Sequence, residues 1–321
     1  MHCTALLTVG YLITLGQVPQ PLIKVPTNFG EGTMENTPVV FNGRPLLVQN
    51  VRPPKGRSEE MFLIIDDIPT GEEVARFGQG YSFASAFVKG AELNVFGTEY
   101  TDDDWTHDIY RFSSTDLKTW KRDLVLSREG DQHFFNASVC RDDQGYLMAY
   151  ESNVPVQWSF MFARSTDLAH WEKVEGVTFA DLEDKGMSAC PALRYVAPYY
   201  YVIYTIARRS KIGRSFQYDR DEARYVAILA RSRDLATWEL SPTEHPLLEP
   251  ALGEGLNNSD VDLFEYEGRT YVFYATGDQA SWGTIRIAMY PGPMRAFFEG
   301  RFPENTPMIR FDAKNGRYVY P

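Results

Sequence analysis

The sequence has few cysteines, no basic block and no second long apolar run, and each shortage narrows what the chain can be. Three cysteines in 321 residues cannot make a disulfide scaffold, and the spacing of Cys140 and Cys190 fits no metal motif. Both lie in apolar, strand-like runs and read as buried free thiols. Lysine and arginine total 32 against 43 acids, for a formal net charge of −11. Without clustered Lys and Arg there is no footprint for nucleic acid, and the acidic balance reads as solubility. No Walker loop, dinucleotide fingerprint, zinc helix motif or nucleophile elbow is present. No cofactor is expected; a structural cation on a symmetry axis stays open but has no signature.

The one apolar run, over 5–15 in MHCTALLTVGYLITLGQVPQ, is too short to span a bilayer and long enough for the core of a signal peptide. It lacks a preceding Lys or Arg, and small residues mark a cleavage site only loosely around Thr14 and Gly16. A buried first strand is the alternative. The expectation is a signal peptide over 1–18, carrying Cys3 away, export to a secreted or periplasmic location, and one domain over 19–321 with no membrane span.

What the chain has in quantity is aromatic residues, 14% of the total, which suit a pleated, half-buried surface. It also repeats itself. FSSTDLKTWKR (112–122), ARSTDLAHWEK (163–173) and ARSRDLATWEL (230–240) share Ser-x-Asp-Leu-x-x-Trp, or a close variant of it, with Asp116, Asp167 and Asp234 at corresponding places. Each motif is preceded by two apolar strands and a turn. Two more such pairs, TPVVFNGRPLLVQNV and VDLFEYEGRTYVFYATG, lack the Trp motif. Turns such as Asn42-Gly43 and Glu267-Gly268 suit hairpins. Each pair runs on into a third strand: EMFLIIDD, THDIYRFSS, SFMFARS, YVAILARS and TIRIAMY. Five such sheets around an axis make an all-β, five-bladed β-propeller, because one blade alone cannot bury both its faces. Asp in the motif is expected to hold turn amides and Trp to pack between blades. The segment 22–25 is expected to pair with the last blade.

The repeats, with Glu35-Asn36-Thr37-Pro38 and Asn258-Ser259-Asp260-Val261-Asp262 at inner-strand starts, resemble the five-bladed propeller glycoside hydrolases. That group holds arabinofuranosidases, xylosidases, fructosidases and neoagarobiose hydrolases, and the resemblance covers roughly 30–300. It implies an inverting hydrolase acting on an oligosaccharide or polysaccharide. Many members carry an Asp-Pro pair in the first inner strand, with Asp as general base. Thr37-Pro38 stands there instead, so either Glu35 takes the base role or another blade supplies it. The last blade looks closer to the neoagarobiose hydrolase branch.

If inner strands start at the pocket face, second strands end there. First-strand starts then offer Glu35, Asn36, His133, Asn136, Ser188, Cys190, Asn258 and Asp260; second-strand ends offer Gln49, Glu99, Glu151, Thr205, Arg208, Asp278 and Gln279. Glycoside hydrolysis needs two carboxyl groups, roughly 6.5–9.5 Å apart when the outcome is inversion. The acid must keep its proton near neutrality through burial or a neighbouring carboxylate. The expectation gives Asp260 the general-base or pKa-tuning role and Glu151 the acid role, with Glu35 and Glu99 in reserve. Asp262, two residues on, would share the side of Asp260 in a regular strand. Substrate contacts are expected from Asn36, Glu99, His107, His133, Asn136, Arg208, Asn258, Asp262, Gln279 and Trp282. Trp105 and Trp158 occupy loops equivalent to that of Trp282, and Arg208 with Arg209 could clamp an acidic sugar. Two other functions stay open: a non-catalytic carbohydrate-binding propeller, and a phosphorylase using Arg208 and Arg209 for phosphate.

Overall fold

The computed structural model describes residues 22–30, 33–53, 56–181, 188–208, 224–278 and 282–320. The expected signal peptide over 1–18, with Cys3, lies outside them. Strand β1 (Ile23–Phe29) comes first. Blade 1 is β2 (Thr33–Phe41), β3 (Arg44–Val51), β4 (Phe62–Asp67) and β5 (Glu73–Phe77). Blade 2 is β6 (Tyr81–Lys89), β7 (Glu92–Thr101), β8 (Trp105–Ser114) and β9 (Lys121–Leu126). Blade 3 is β10 (Phe134–Asp142), β11 (Gly145–Ser152), β12 (Ser159–Ser165) and β13 (Glu172–Lys173). Blade 4 starts with β14 (Ala189–Val196), β15 (Tyr199–Arg208), β16 (Arg224–Ser232) and β17 (Thr237–Leu240). Blade 5 has β18 (Ser259–Tyr266), β19 (Arg269–Gly277) and β20 (Trp282–Tyr290). Helix α1 (Met294–Glu299) follows, and β21 (Met308–Asp312) and β22 (Arg317–Val319) then return to widen blade 4 to six strands. The sheets are antiparallel and form a five-bladed propeller, as the repeats predict. No helix among the described residues is long and apolar enough to cross a membrane.

The five larger apolar clusters lie between successive blades. Val48 and Ile65 of blade 1 meet Val95 and Phe112 of blade 2, and Phe96 meets Met148 of blade 3. Phe162 meets Ile228 of blade 4, Ile203 meets Leu263 of blade 5, and Phe273 meets Leu47 of blade 1. Each blade thus buries its faces only against its neighbours.

The Ser-x-Asp-Leu-x-x-Trp element is structural. The Asp234 carboxylate accepts the backbone N–H groups of Ala236 and Thr237, each at 2.9 Å, while the Ser232 hydroxyl accepts that of Leu235. Asp116 and Asp167 do the same in their blades. The tryptophans pack on the preceding blade: Trp120 stacks on Phe77 at 3.7 Å, Trp171 meets Phe96 edge-on, and Trp238 stacks with Phe162.

The ring closes by pairing β1 with β20, from Ile23 opposite Met289 to Phe29 opposite Ile285. Lys24 fastens this seam. Its ammonium donates to Glu254 Oε2 at 2.5 Å, Asn258 Oδ1 at 2.9 Å and the Glu249 carbonyl at 2.8 Å.

Candidate active site

Every inner strand carries an irregularity near its start. The ladder to the second strand skips between Met34 and Asn36, Ser82 and Ser85, Phe135 and Ala137, Ala189 and Ala192, and Ser259 and Asp262. One residue in each skip is left-handed: Glu35 (φ 35°), Phe83 (54°), Asn136 (32°), Cys190 (57°) and Asp260 (49°). None is glycine, although that region disfavours a Cβ. A bulge bends its strand and re-aims a side chain. Glu35, Asn136, Cys190 and Asp260 accordingly line one axial cavity, together with Asn36, Thr37, Ser85 and Asp262.

The acids of this ring belong to blades 1 and 5, which meet at the seam. Glu35 is 5% exposed and Asp260 4%. Glu35 Oε1 accepts from Arg52 at 2.6 Å, and the Arg52 guanidinium lies 4.2 Å over the Phe83 ring. Asp260 Oδ2 accepts from the Ser259 hydroxyl, and the Cys190 thiol sits beside the same carboxyl. Asn36 Nδ2 donates to the Asp260 carbonyl at 2.6 Å, tying blade 1 to blade 5. Five buried atoms of the cavity residues have no hydrogen-bond partner among the described residues: Glu35 Oε2, Asn36 Oδ1, Thr37 Oγ1, Ser85 Oγ and Asp260 Oδ1. Buried polar atoms without partners call for a hydrogen-bonding guest.

Burial pushes the Glu35 carboxyl up to about 7; Arg52 opposes the shift and Asp260 adds to it. Burial also raises Asp260, against the pull of Ser259 and Cys190. Glu151 is pushed up to about 7 by burial, against bonds from the Cys190 N–H and the Asn136 amide. Burial is thus the leading cause in all three carboxyls, and the nearby Asp260 charge adds to the rise of Glu35 and Glu151.

Glu151 stands one layer behind the cavity. It accepts from Cys190 N at 2.8 Å and Asn136 Nδ2 at 3.2 Å, and both of those residues line the cavity. Its counterpart in blade 1 is Asn50: each pairs with the residue just before the bulge, Phe135 and Met34 respectively. Asn50 Oδ1 likewise accepts the N–H of Ala84 in the next blade's bulge. The expected equivalence of Glu99 and Glu151 is corrected here. Opposite Ser82, the matching position in blade 2, stands Thr98. Glu99 is one residue further on, and a one-residue slip turns a side chain to the other face. It is half-buried beside Tyr81 and Tyr110, away from the cavity.

Asn36, Asn136 and Asp262 line the cavity as expected. Asp262 is not on a regular strand with Asp260, because the bulge intervenes; its carboxylate pairs with Arg194, which also donates to the Leu193 and Leu263 carbonyls. Asn258 is buried at the seam with Lys24 and Glu254 rather than in the cavity. His107 bonds Thr101 and Asp104 within its own hairpin. Gln279 and Arg209 lie outside the described residues, as do the side chains of Arg208 and Trp282.

An aromatic group sits beside the hub on blades 2 and 3. Phe135 meets Phe83 at 5.4 Å, Trp105 at 4.9 Å and Trp158 at 5.9 Å between ring centroids. His133 lies 6.2 Å from Trp105. Arg52, Phe83, Phe135 and Asn50 escaped the sequence reading. Only the bulge register reveals them, and it has no composition signal.

No family model matches the chain, and no curated protein matches it. Solved structures do. BT0996, solved as an RGII complex, is 16% identical over 85% of this chain and 93% of its own, with a TM-score of 0.60. A thermostable family-43 glycoside hydrolase is 13% identical over 93% and 95%, with a TM-score of 0.58. A glycosyl hydrolase from Bacteroides ovatus is 13% identical over 82% and 85%, with a TM-score of 0.54. The fold is therefore that of the five-bladed propeller glycoside hydrolases. At these identities the likeness establishes architecture, and the chemistry must be argued from the cavity.

Proposed function

We propose that this chain is a glycoside hydrolase, exo-acting and inverting, that releases a terminal sugar from an oligosaccharide or polysaccharide at the axial cavity. The observation that carries the reading is the meeting of Glu35 and Asp260, far apart in sequence, in one buried cavity with unpartnered polar atoms. The hydrolase neighbours of the same fold support it.

In this reading Asp260, with the Ser259 hydroxyl and Cys190 thiol stabilising its charge, is the general base that activates water. Glu35, held near 7, keeps a proton and gives it to the leaving oxygen. Such a split between two neighbouring carboxyls is how acid and base coexist near neutral pH. Glu35 is preferred to Glu151 as donor because Glu35 lines the cavity and Glu151 is committed to the Cys190 amide. Export, supported by the apolar run over 5–15, would place the enzyme where polysaccharides are met.

The test is a hydrolysis screen of oligosaccharides with the wild-type chain and Asp260→Asn. Turnover by the first, lost in a normally folded second, is the expected result. Full activity in Asp260→Asn removes Asp260 from the mechanism; oligosaccharide binding with no turnover by either protein makes this a lectin-like propeller.

A further inference from the structure

We propose that Trp105, His133 and Trp158 form the subsite for the leaving-group side of the substrate, holding an uncharged sugar ring by its C–H face; this rests on the hydrolase reading above. The two tryptophans occupy corresponding places, at or just before the third strands of blades 2 and 3. Both are left-handed, with φ of 62° and 68°, where a bulky residue is costly and glycine would be relaxed. Such strain at two equivalent places points to a use for the side chains there. Trp105 is also 42% exposed, so its ring is not kept for the core. Both rings rest on the buried Phe135, which fixes them as one shelf.

His133 adds direction. Its Nδ1 lies 3.0 Å from the Thr106 carbonyl oxygen, which can only accept, so Nδ1 carries the proton in the neutral ring. Nε2 is then a lone-pair nitrogen with no hydrogen bond to the described residues, on a ring whose centroid lies 6.2 Å from that of Trp105. A stacked sugar can donate a hydroxyl to it. The shelf's surroundings select against acidic sugars: Asp102, Asp103 and Asp104 are exposed next to Trp105, and Arg128 is taken up by Asp104 at 2.8 Å.

The side is set by connectivity. A proton donor must face the leaving oxygen. From Glu35 a continuous line of contacts runs through Arg52 to Phe83, to Phe135 and to both tryptophans. This packed connection to the proposed donor is the ground for assigning the leaving-group sugar to the shelf.

The experiment compares wild type with Trp105→Ala, Trp158→Ala and the double variant on two substrates. One is the neutral oligosaccharide found best in the hydrolysis screen. The other is the glycosyl fluoride of the sugar it releases, whose fluoride is too small to reach the shelf. Each substitution should raise KM for the oligosaccharide about tenfold, as loss of one aromatic platform does, and leave kcat/KM for the fluoride within about twofold. The exposed Trp105 keeps the test clear of misfolding, which circular dichroism also checks. Unchanged oligosaccharide KM in the double variant, or equal losses on both substrates, overturns the assignment. Should the wild-type protein cleave no oligosaccharide at all, the hydrolase reading fails, and this inference with it.

Discussion

The Glu151 carboxyl of blade 3 accepts the backbone N–H of Cys190 in blade 4 at 2.8 Å, as the Asn50 amide of blade 1 accepts that of Ala84 in blade 2. One residue type is ionisable and the other is not, yet both hold the next blade's bulge in place. Glu151 therefore has a positioning role that an amide can fill.

Glu151→Gln should fold normally and keep turnover within about tenfold, because its side-chain oxygen still accepts from Cys190. Glu151→Ala leaves the bulge amide without an acceptor and should cost roughly 1–3 kcal/mol, read by denaturant unfolding. If Glu151→Gln loses all turnover while its stability holds, Glu151 and not Glu35 is the proton donor.

With Glu35 as the proposed donor, activity should fall as pH rises through about 7, where burial sets the loss of its proton. The acid limb should lie above the ordinary aspartate range, because Asp260 is raised by burial. A kcat/KM profile between about pH 4 and 9 reads both limbs. A rate that keeps climbing above pH 8 would contradict a Glu35 donor.

Stability should respond to the same groups with a definite sign. Glu35 and Glu151 are raised from 4.5 to about 7, so the folded state holds more protons than the unfolded one between those values. Stability from this source is complete below 4.5 and falls as pH rises to about 7. Glu254 works the other way. Lowered to about 2, chiefly by bonds from Ala251 N–H, Lys24 and Tyr274 that outweigh its burial, it adds stability above 4.5 that is lost as pH drops towards 2. Melting temperatures of Glu35→Gln and Glu151→Gln should therefore show a flatter decline from pH 4.5 to 7 than wild type.

Lys24→Ala removes three bonds from the seam and leaves the Glu254 carboxylate short of a partner. A loss of about 2–3 kcal/mol is expected. Limited proteolysis should then release the β1 segment first. Equal protection of β1 in both proteins would show that strand pairing alone closes the ring.

Trp238 is fully buried between Phe162 and Phe179, and its indole donates to the Leu235 carbonyl at 2.9 Å. Trp238→Ala should cost about 3–5 kcal/mol. The half-buried Trp120, in the matching place of blade 2, should cost clearly less on the same change.

The blades were legible because their signals are local. Turn residues, alternating apolar runs and the Ser-x-Asp-Leu-x-x-Trp element each announce themselves within a dozen residues. The seam was legible in outline: 22–25 was expected to pair with the last blade, and the pairing with β20 runs from Ile23 to Phe29. The hub was only half legible. Glu35 and Asp260 stand out as acids at strand starts, but the bulges that aim them carry Glu, Phe, Asn, Cys and Asp, with no shared residue type. Glu99 shows the consequence of missing a register: counting along the strand put it beside Glu151 by analogy, while the ladder puts Thr98 there. The widening of blade 4 by β21 and β22 escaped because both strands are short and follow a helix.

Blade 5 takes its outer strand from the beginning of the chain and its other three from near the end. During synthesis, β1 must wait unpaired until β20 has emerged from the ribosome. Glu35 is made early and Asp260 late, and the Asn36 amide joins their two blades through the Asp260 carbonyl. A chain that stops short of blade 5 therefore lacks one side of the hub, however many earlier blades it contains.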